Sequence, residues 1–283
     1  GWITSIVQQA EASQKRINIL LKENPEIEDG PGVNSPIIGN LHFKNVSLSY
    51  PETEIKALSN VTLKIPIGST LGVIGNIGSG KTTFLDLISR LYDPSQGIIE
   101  IDGTSTKDYR LEEIRSSIAY VPQNAFLFSE SIQDNISFGS VDATDDEIQK
   151  ATKQAAVHDD IIGFKEEYKT LLGERGVTLS GGQIQRISIA RGLIKKTKIL
   201  LLDDCLSAVD TDTEEEILKH LKSVAKKKTT IIVSHRISSI KHADQIIVFE
   251  NGQIVQKGAH INLIEIDGYY KELFKKQQSD KSK

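Results

Sequence analysis

A glycine-rich segment at residues 75–82, GNIGSGKT, has the residue types and spacing that hold a polyphosphate. It fits the pattern G-x-x-x-x-G-K-[ST], in which backbone N–H groups surround the phosphates, the lysine reaches the terminal phosphates and the last hydroxyl meets magnesium. An apolar run at 70–75 leads into this phosphate loop, and a helix is predicted over 81–91. ATP or GTP is therefore the expected ligand. Its predicted contacts are Gly75, Asn76, Gly78, Ser79, Gly80, Lys81, Thr82 and Thr83.

A carboxylate follows a second apolar run, where it could serve a metal. The run KILLLDD at 198–204 predicts a buried parallel strand, and Asp203 lies near its carboxyl end. Because the carboxyl ends of parallel strands share one edge of a sheet, we expect Asp203 beside the phosphate loop, where it and Thr82 would be oxygen ligands of magnesium. A strand-end acid can also simply cap the next segment.

A second glycine motif, LSGGQ at 179–183, predicts a helix start that could bind an anion. Ser180 and Gln183 have capping-box spacing, and Gly181 and Gly182 would supply the first N–H groups of the helix. The two glycines would let a phosphate approach the backbone closely, with the Ser180 hydroxyl as a further donor. Taken alone, the segment favours a plain capping box.

The elements that position these motifs follow from periodicity and turn residues. Helical spacing of apolar residues over 2–23 predicts an amphipathic helix, and the Pro-, Gly- and acid-rich run at 24–36 predicts a linker. Alternating β-branched residues at 37–50 and 61–65 predict antiparallel strands, whereas longer apolar runs predict a parallel sheet. Those apolar runs are 70–75, 198–204 and 229–235.

The part of the chain between the two glycine motifs predicts a helical lobe. Thr144 and Glu147 have the spacing of a capping box at the start of the polar stretch TDDEIQKATKQAA. The lysine runs at 195–196 and 226–228 are expected to be solvated surface, and the C-terminal KKQQSDKSK a solvated or frayed tail.

Composition limits the classes of protein to consider. With 283 residues, 38% hydrophobic and 25% charged, the chain has room for one large domain or two lobes. A net charge of −4 gives no global attraction for nucleic acid, which is not an expected partner. The single cysteine, Cys205, cannot form an intramolecular disulfide, which suits a reducing cytoplasm. No run of about 18–20 apolar residues occurs, so we expect no membrane span within these residues.

Taken in order, these motifs resemble those of ATP-binding-cassette (ABC) ATPases. After the phosphate loop, LSGGQ with the following IQRISIARGLIKK resembles the ABC signature motif, and KILLLDD resembles the Walker B strand. The resemblance covers roughly residues 37–275 and implies ATP and Mg²⁺ as cofactors. It also implies that the signature closes over a nucleotide held by a second ABC subunit. The signature residues that would do so are Ser180, Gly181, Gly182 and Gln183.

Five further residues take their expected roles from this resemblance. Tyr50 matches the aromatic residue that stacks on adenine, although a buried strand tyrosine is the alternative. Gln123 in YVPQNAFLF matches the Q-loop glutamine, which can coordinate magnesium. Asp210 in LSAVD matches the D-loop aspartate at the dimer seam, and His235 after TTIIVS matches the switch histidine that contacts the γ-phosphate. Asp204 stands where the family places the glutamate that polarises the attacking water.

The resemblance also implies an architecture. We expect an α/β fold with a P-loop (RecA-like) ATPase core, an antiparallel β subdomain and an α-helical signature subdomain at about 124–196. The nucleotide-binding domain would span 37–276, preceded by the helix and linker of 1–36 and followed by a polar tail at 277–283. Two such domains would hold two ATP molecules head to tail between them.

Two segments resemble exporters rather than importers, namely LFSESIQDNI at 127–136 and GERG at 173–176. The leading WITSIVQQAEASQKRI resembles the connection between an exporter's last transmembrane helix and its ATPase. A transmembrane domain is therefore expected upstream in the same polypeptide, with this domain on the cytoplasmic face of the bacterial inner or plasma membrane. The cargo, whether drug, lipid or peptide, stays open.

The main departure from the family pattern is Asp204, which is one methylene shorter than the usual glutamate. The string DDCLSAVD resembles one half of heterodimeric bacterial exporters, in which one of two composite sites is degenerate. A misplacement of about 1 Å can lower a rate roughly 100-fold, so we expect hydrolysis at this chain's own site to be weakened. The alternatives are a homodimer in which Asp204 is a working base, or a mainly regulatory ATP-binding module.

Overall fold

Two β-sheets and a helical lobe make up the chain. The computed structural model describes residues 1–50, 53, 55–173, 177–225 and 228–281. The strands are β1 Leu41–Ser49, β2 Lys56–Ile65, β3 Thr70–Gly75, β4 Gln96–Ile101, β5 Thr104–Ser105, β6 Ile118–Val121, β7 Ile199–Asp203, β8 Thr229–Val233, β9 Gln245–Glu250 and β10 Gln253–Gly258. The helices are α1 Trp2–Leu21, α2 Lys81–Ile88, α3 Leu111–Ser117, α4 Ile132–Ser137, α5 Asp145–Gln154, α6 His158–Ile162, α7 Gly181–Ile194, α8 Thr211–Ala225, α9 Ile237–Ile240, α10 His260–Leu263 and α11 Tyr269–Lys281.

The central sheet brings the carboxyl ends of five parallel strands to one edge. Its order is β10-β9-β3-β8-β7-β6, and every neighbouring pair except β10–β9 is parallel. In this register Val73 and Asp203 both lie opposite Val233, on either side of β8. The segments that follow β3, β6, β7 and β8 therefore emerge together, as ligand-binding segments do in open α/β sheets.

Alternation along the central strands builds two separate cores. In β7, Leu200 and Leu202 pack with the helical lobe, whereas Ile199 and Leu201 pack toward the second sheet. That second sheet is antiparallel, with the order β2-β1-β4-β5. Because both faces of the central sheet are covered, its strands read as continuous apolar runs. This arrangement confirms the α/β class, the antiparallel β part and the helical part.

Helices α4–α7 form the predicted helical lobe. Its capping box is confirmed: the Thr144 hydroxyl accepts a hydrogen bond from the Glu147 N–H, and the Glu147 carboxylate accepts one from the Thr144 N–H. A cap of this kind satisfies N–H groups that the first helical turn leaves without partners. Of the GERG motif, residues 174–176 lie outside the described residues, as do Pro51 beside Tyr50 and residues 226–227.

Several predicted boundaries were wrong by a few residues. The helix predicted over 81–91 ends at Ile88 because Arg90 adopts a left-handed φ of 49°, and the Leu91 and Arg90 N–H groups bond to the Asp86 and Leu87 carbonyls. This pair of bonds is the Schellman stop, here without the usual glycine. The strand predicted over 37–50 is shorter at its start, and the strand predicted over 61–65 is longer, as the bounds of β1 and β2 show.

The predicted solvated regions are also corrected in part. The tail predicted at 277–283 continues helix α11 as far as Lys281, and Gln277 hydrogen-bonds to another element. Lys195 and Lys228 turn inward and donate to backbone carbonyls, whereas Lys196 is exposed and pairs with Glu147. A lysine can bury its stem and ammonium where carbonyl oxygens replace its water.

Helix α1 packs none of its side chains into a core, and apolar residues such as Trp2 and Leu20 remain exposed. The helix is two residues shorter than the predicted 2–23. Among the helices that the structure describes, none is both long and apolar enough to cross a bilayer.

The inward position of Lys228 gives the fold a pH dependence. Burial, with a smaller contribution from the charge of Lys195, lowers the pKa of Lys228 to about 8. Between that value and the ordinary lysine pKa of about 10.4, the unfolded chain binds more protons, so the free energy of unfolding rises with pH. When chemical denaturation is measured from pH 7.5 to 10.5, the free energy of unfolding should rise more steeply for the wild type than for Lys228→Met. Equal slopes would contradict this placement of Lys228.

Candidate functional site

The phosphate loop is shaped by glycine backbone at close approaches. Gly80 has a φ of 101°, and a Cβ there would lie 2.6 Å from the carbonyl oxygen of Ala57. A Cβ on Gly75 would collide with the Phe249 carbonyl oxygen on the neighbouring strand β9. The loop thus passes over the sheet edge with no room for side chains at these two positions. Its predicted place between β3 and α2 is confirmed.

Lys81 folds its ammonium group over this loop. Its Nζ donates to the carbonyl oxygens of Gly75 at 2.9 Å and Asn76 at 2.6 Å. Burial lowers the pKa of Lys81, and the negative charges of Asp203 and Asp204 oppose that change. A half-buried cation beside a glycine loop provides positive charge for an anionic ligand such as a polyphosphate.

Asp203 and Thr82 meet beneath the loop. The Thr82 hydroxyl donates to Asp203 Oδ2 at 3.1 Å, and the Tyr120 hydroxyl donates to the same oxygen at 3.3 Å. Asp203 is only 3% exposed, and burial raises its pKa while the hydrogen bonds from Thr82 and Tyr120 oppose the rise. The resulting site offers one carboxylate and one hydroxyl to a cation.

One carboxylate and one hydroxyl are too few to hold a metal ion whose ligands all come from the protein, but they suit Mg²⁺. In the described part of the chain, no group of three or more His, Cys, Asp or Glu side chains could hold a metal ion. Mg²⁺ is usually bound through one or two protein oxygens, with water and substrate phosphates completing its shell. Thr82 and Asp203 are placed to serve as those oxygens, and their oxygens already lie within hydrogen-bonding distance of one another.

Asp204 directs its carboxylate to a different partner, His235. Its two carboxylate oxygens lie 2.9 Å and 3.0 Å from Nδ1 of His235. The amide nitrogen of Gln123 makes a long contact of 3.5 Å with Asp204 Oδ2. Asp204 itself has a left-handed φ of 43°, a region that aspartate enters more readily than most side chains. The three candidate catalytic residues are thus brought together.

Tyr50 lies against the helix that begins at the phosphate loop. Its hydroxyl shares a hydrogen bond of 2.9 Å with the Thr83 hydroxyl, and its ring meets Tyr92 edge-on at 5.2 Å. Thr83 is buried, so its hydroxyl serves this contact inside the protein. Tyr50 is half-buried.

The signature motif lies on the helical lobe and forms the predicted capping box. Ser180 Oγ accepts from the Gln183 N–H at 3.2 Å, and Gln183 Oε1 accepts from the Ser180 N–H at 2.9 Å. Gln183 also donates to Asp160, which accepts from Arg186 as well. Both polar groups of Gln183 are therefore engaged within its own chain. None of the hydrogen bonds found in the described ranges joins residues 180–183 to the phosphate loop.

The D-loop, residues 207–210, hydrogen-bonds both to the signature helix α7 and to the residues that follow β8. Residues 235–239 after β8 are called the switch segment. Gln185 of α7 donates to Ser207 Oγ and accepts from the Ala208 N–H. On the other side, the Arg236 guanidinium donates to the carbonyl oxygens of Ser207 and Val209. The Asp210 carboxylate accepts from the Thr213 N–H at 3.0 Å, at the start of α8.

Behind the D-loop, a buried carboxylate holds the switch segment. Glu214 is 1% exposed and accepts from Arg236 Nη1 at 2.8 Å, from Ser238 at 2.9 Å and from Ser239 at 2.5 Å. Sequence reasoning did not find Glu214, Arg236, Gln185, Asp160 or Tyr120. Arg236 and Gln185 adjoin predicted motifs and Tyr120 begins the quoted YVPQNAFLF, which are local signals, whereas no sequence pattern marks Glu214 or Asp160.

Both the sequence and the fold are similar to those of known proteins. The sequence model described as ABC transporter matches residues 58–207, a range that includes the phosphate loop, the signature and Asp203. An uncharacterized ABC transporter ATP-binding protein of Bacillus subtilis, YknU, is 44% identical over 99% of this chain and 48% of its own length. The multidrug resistance-like ATP-binding protein MdlA of Escherichia coli is 42% identical over 98% of this chain and 47% of its own.

Among solved structures, a bacterial Atm1-family ABC exporter with ATP bound is similar, with a TM-score of 0.89 and 35% identity. The match covers 96% of this chain and 48% of that one. The chain thus spans about half the length of the relatives that it matches. The residues Tyr50, Asp210 and His235 lie outside the range of the family model.

The Glu214–Arg236 pair should stabilise the switch segment only while both partners are present. Arg236→Met leaves a buried carboxylate without its cation, which we expect to cost about 3 kcal/mol of unfolding free energy. The double variant Arg236→Met with Glu214→Gln keeps the acceptor for the two serines and removes the unpaired charge, so it should regain part of that loss. Urea denaturation measures both values. A double variant no more stable than Arg236→Met would contradict the charge argument.

Proposed function

The chain belongs to the ABC transporter family, and we propose that it is the ATP-hydrolysing cassette of an exporter. It has the ATP-binding fold of that family, and its relatives include multidrug resistance-like proteins. In the proposed cycle, ATP and magnesium bind at the sheet edge, a second cassette closes over the nucleotide, and the closed dimer drives export. Hydrolysis and product release then reopen the pair, since a ligand shifts such an equilibrium only through its different affinity for the two states.

The observation that carries this proposal is the separation of two phosphate-binding features. Lys81, Asp203 and His235 converge at one sheet edge, whereas the capped glycines 181 and 182 lie on the helical lobe. The helix N-terminus at those glycines is an anion site with Ser180 exposed beside it. A second cassette placed head to tail would bring its own bound nucleotide to this helix start.

We assign roles to the chain's residues accordingly. Lys81 and the loop N–H groups neutralise the phosphates, and Thr82, Asp203 and Gln123 would hold Mg²⁺, which when bound neutralises further phosphate charge. Tyr50 would contact the adenine and Asp210 the dimer seam. Asp204 would accept a proton from the attacking water, and His235 would contact the γ-phosphate. Ser180, Gly181, Gly182 and Gln183 would complete the partner's site.

The geometry of Asp204 supports a weakened hydrolytic site. Both of its oxygens face the same nitrogen of His235, so the carboxylate is drawn toward the switch segment. A glutamate at this position would reach one methylene further toward the ligand. A positioning error of about 1 Å lowers a reaction rate roughly 100-fold. A site with Asp204 as its base would therefore bind ATP well but hydrolyse it slowly. The chain would then be one half of a heterodimer whose partner carries the faster base.

One observation favours a homodimer with Asp204 as a working base. His235 and Gln123 both contact the Asp204 carboxylate. The base therefore has both expected neighbours, and only its side chain is shorter than the usual glutamate. A base held by hydrogen bonds in the absence of substrate can still align when the substrate binds. A mainly regulatory module, in which ATP only holds the dimer closed, would share the same geometry.

The length comparison extends the proposal to the rest of the polypeptide. Since the chain spans 48% of an ABC relative and 48% of an Atm1-family exporter, we propose that a membrane-spanning part is joined to it. Helix α1 and the segment at 22–36 would form the connection, with 37–276 as the cassette and 277–283 as a tail that continues helix α11 as far as Lys281. The cassette would then lie at the cytoplasmic face of the membrane.

The heterodimer proposal ranks two substitutions in the assembled transporter. Ser180→Ala removes a donor from the partner's faster site and should lower ATP-driven transport more than Asp204→Asn, which affects only the slow site. Transport by reconstituted protein measures both, with Ser116→Ala, an exposed position on α3, as the control. A larger loss from Asp204→Asn would refute the asymmetric assignment and favour the homodimer.

A further inference from the structure

The C-terminal helix is anchored to the protein by one face. In α11, Tyr270 is fully buried, and Leu273 and Phe274 pack against the same core as the helical lobe. Tyr270 also shares a hydrogen bond of 2.8 Å with His260, whose ring meets Phe274 edge-on. Helical spacing of three and four residues places Gln277 on this anchored face, one turn beyond Phe274.

At that position Gln277 bonds to the backbone of the switch segment. Its Oε1 accepts from the Ile237 N–H at 2.9 Å, and its Nε2 donates to the carbonyl oxygen of His235 at 2.7 Å. Ile237 is the first residue of α9, so its N–H has no partner within that helix. One amide side chain thus joins backbone groups on both sides of Arg236.

These two bonds fix the backbone that carries the His235 ring. The ring is 56% exposed and its one side-chain partner among the described residues is Asp204. Packing therefore does little to orient it, and the path of residues 235–237 decides where it points. That path is held by Arg236 toward the D-loop and by Gln277 toward the C-terminal helix.

We propose that Gln277 is a positioning residue for His235, and that the C-terminal helix is thereby part of the γ-phosphate-sensing switch. This inference rests on the proposed function only in assigning the γ-phosphate contact to His235. Loss of the Gln277 amide should free the peptide at 235–237 and let the imidazole leave its position. Nucleotides with a γ-phosphate should then lose affinity, whereas ADP should not.

The contact itself is tested by amide hydrogen exchange on the whole chain, followed by NMR. Gln277→Ala should raise the exchange rate of the Ile237 amide about 10-fold, since a protecting acceptor is removed. Gln277→Glu keeps an acceptor for Ile237 but loses the donor to the His235 carbonyl, so its exchange rate should lie between those of the wild type and Gln277→Ala. Ser279→Ala, which loses only a bond to Lys276 within α11, should leave Ile237 unchanged. Exchange unaffected by Gln277→Ala would overturn the proposal.

The functional consequence is tested by a double-mutant cycle between positions 277 and 235. Calorimetry with the magnesium salts of ADP and of the non-hydrolysable β,γ-imido analogue of ATP gives an affinity ratio for each variant. Gln277→Ala should lower the preference for the analogue about 3- to 10-fold, the range of one hydrogen bond. In a His235→Ala background it should have no further effect, because coupled residues are not additive.

The outcomes separate this inference from the proposed function. A loss that persists in the His235→Ala background, or that weakens ADP equally, would show a general structural role and overturn the positioning role of Gln277. If His235→Ala leaves the affinity ratio unchanged, the assigned γ-phosphate contact fails and the switch role of Gln277 fails with it. Protection of Ile237 would then still report the contact as a structural bond.

Discussion

The register between β7 and β8 is the constraint on which the site depends. Asp203 lies opposite Val233, so the residues after both strands emerge side by side, and Asp204 meets His235 there. Side chains alternate along a strand, and Asp203 turns to Thr82 while Asp204, just past the strand end, turns to His235. A slip of one residue would exchange the faces of β7, which both cores resist because its residues are fully buried.

Charge at this edge is balanced within a small space. The charges of Asp203 and Asp204 raise the pKa of Lys81, whereas burial lowers it by more. Burial also raises the pKa of Asp203. The groups are held partly dehydrated before a ligand arrives. Fixed dipoles and charges of this kind need little reorganisation when a polyphosphate binds.

The sequence was sufficient where a local motif carries its own geometry. The phosphate loop and the capping boxes at Ser180 and Thr144 are set by residues close in the chain, and the structure confirms them. The hairpin turns at Asp102–Gly103 and Asn251–Gly252 were missed although the D-G and N-G pairs, both with positive φ, carry the usual signal. The Gln277–His235 bond joins residues 42 positions apart, and such contacts follow from packing rather than from any pattern.

We propose above that this chain binds ATP in a site whose base, Asp204, is too short for fast hydrolysis. The most direct measurement is magnesium-dependent ATP hydrolysis by the chain at high protein concentration, as the ratio of Asp204→Glu to wild type. We predict a rise of about 10-fold or more, equivalent to roughly 1.4 kcal/mol of barrier. A ratio near one with appreciable wild-type activity would contradict the claim and make Asp204 a competent base.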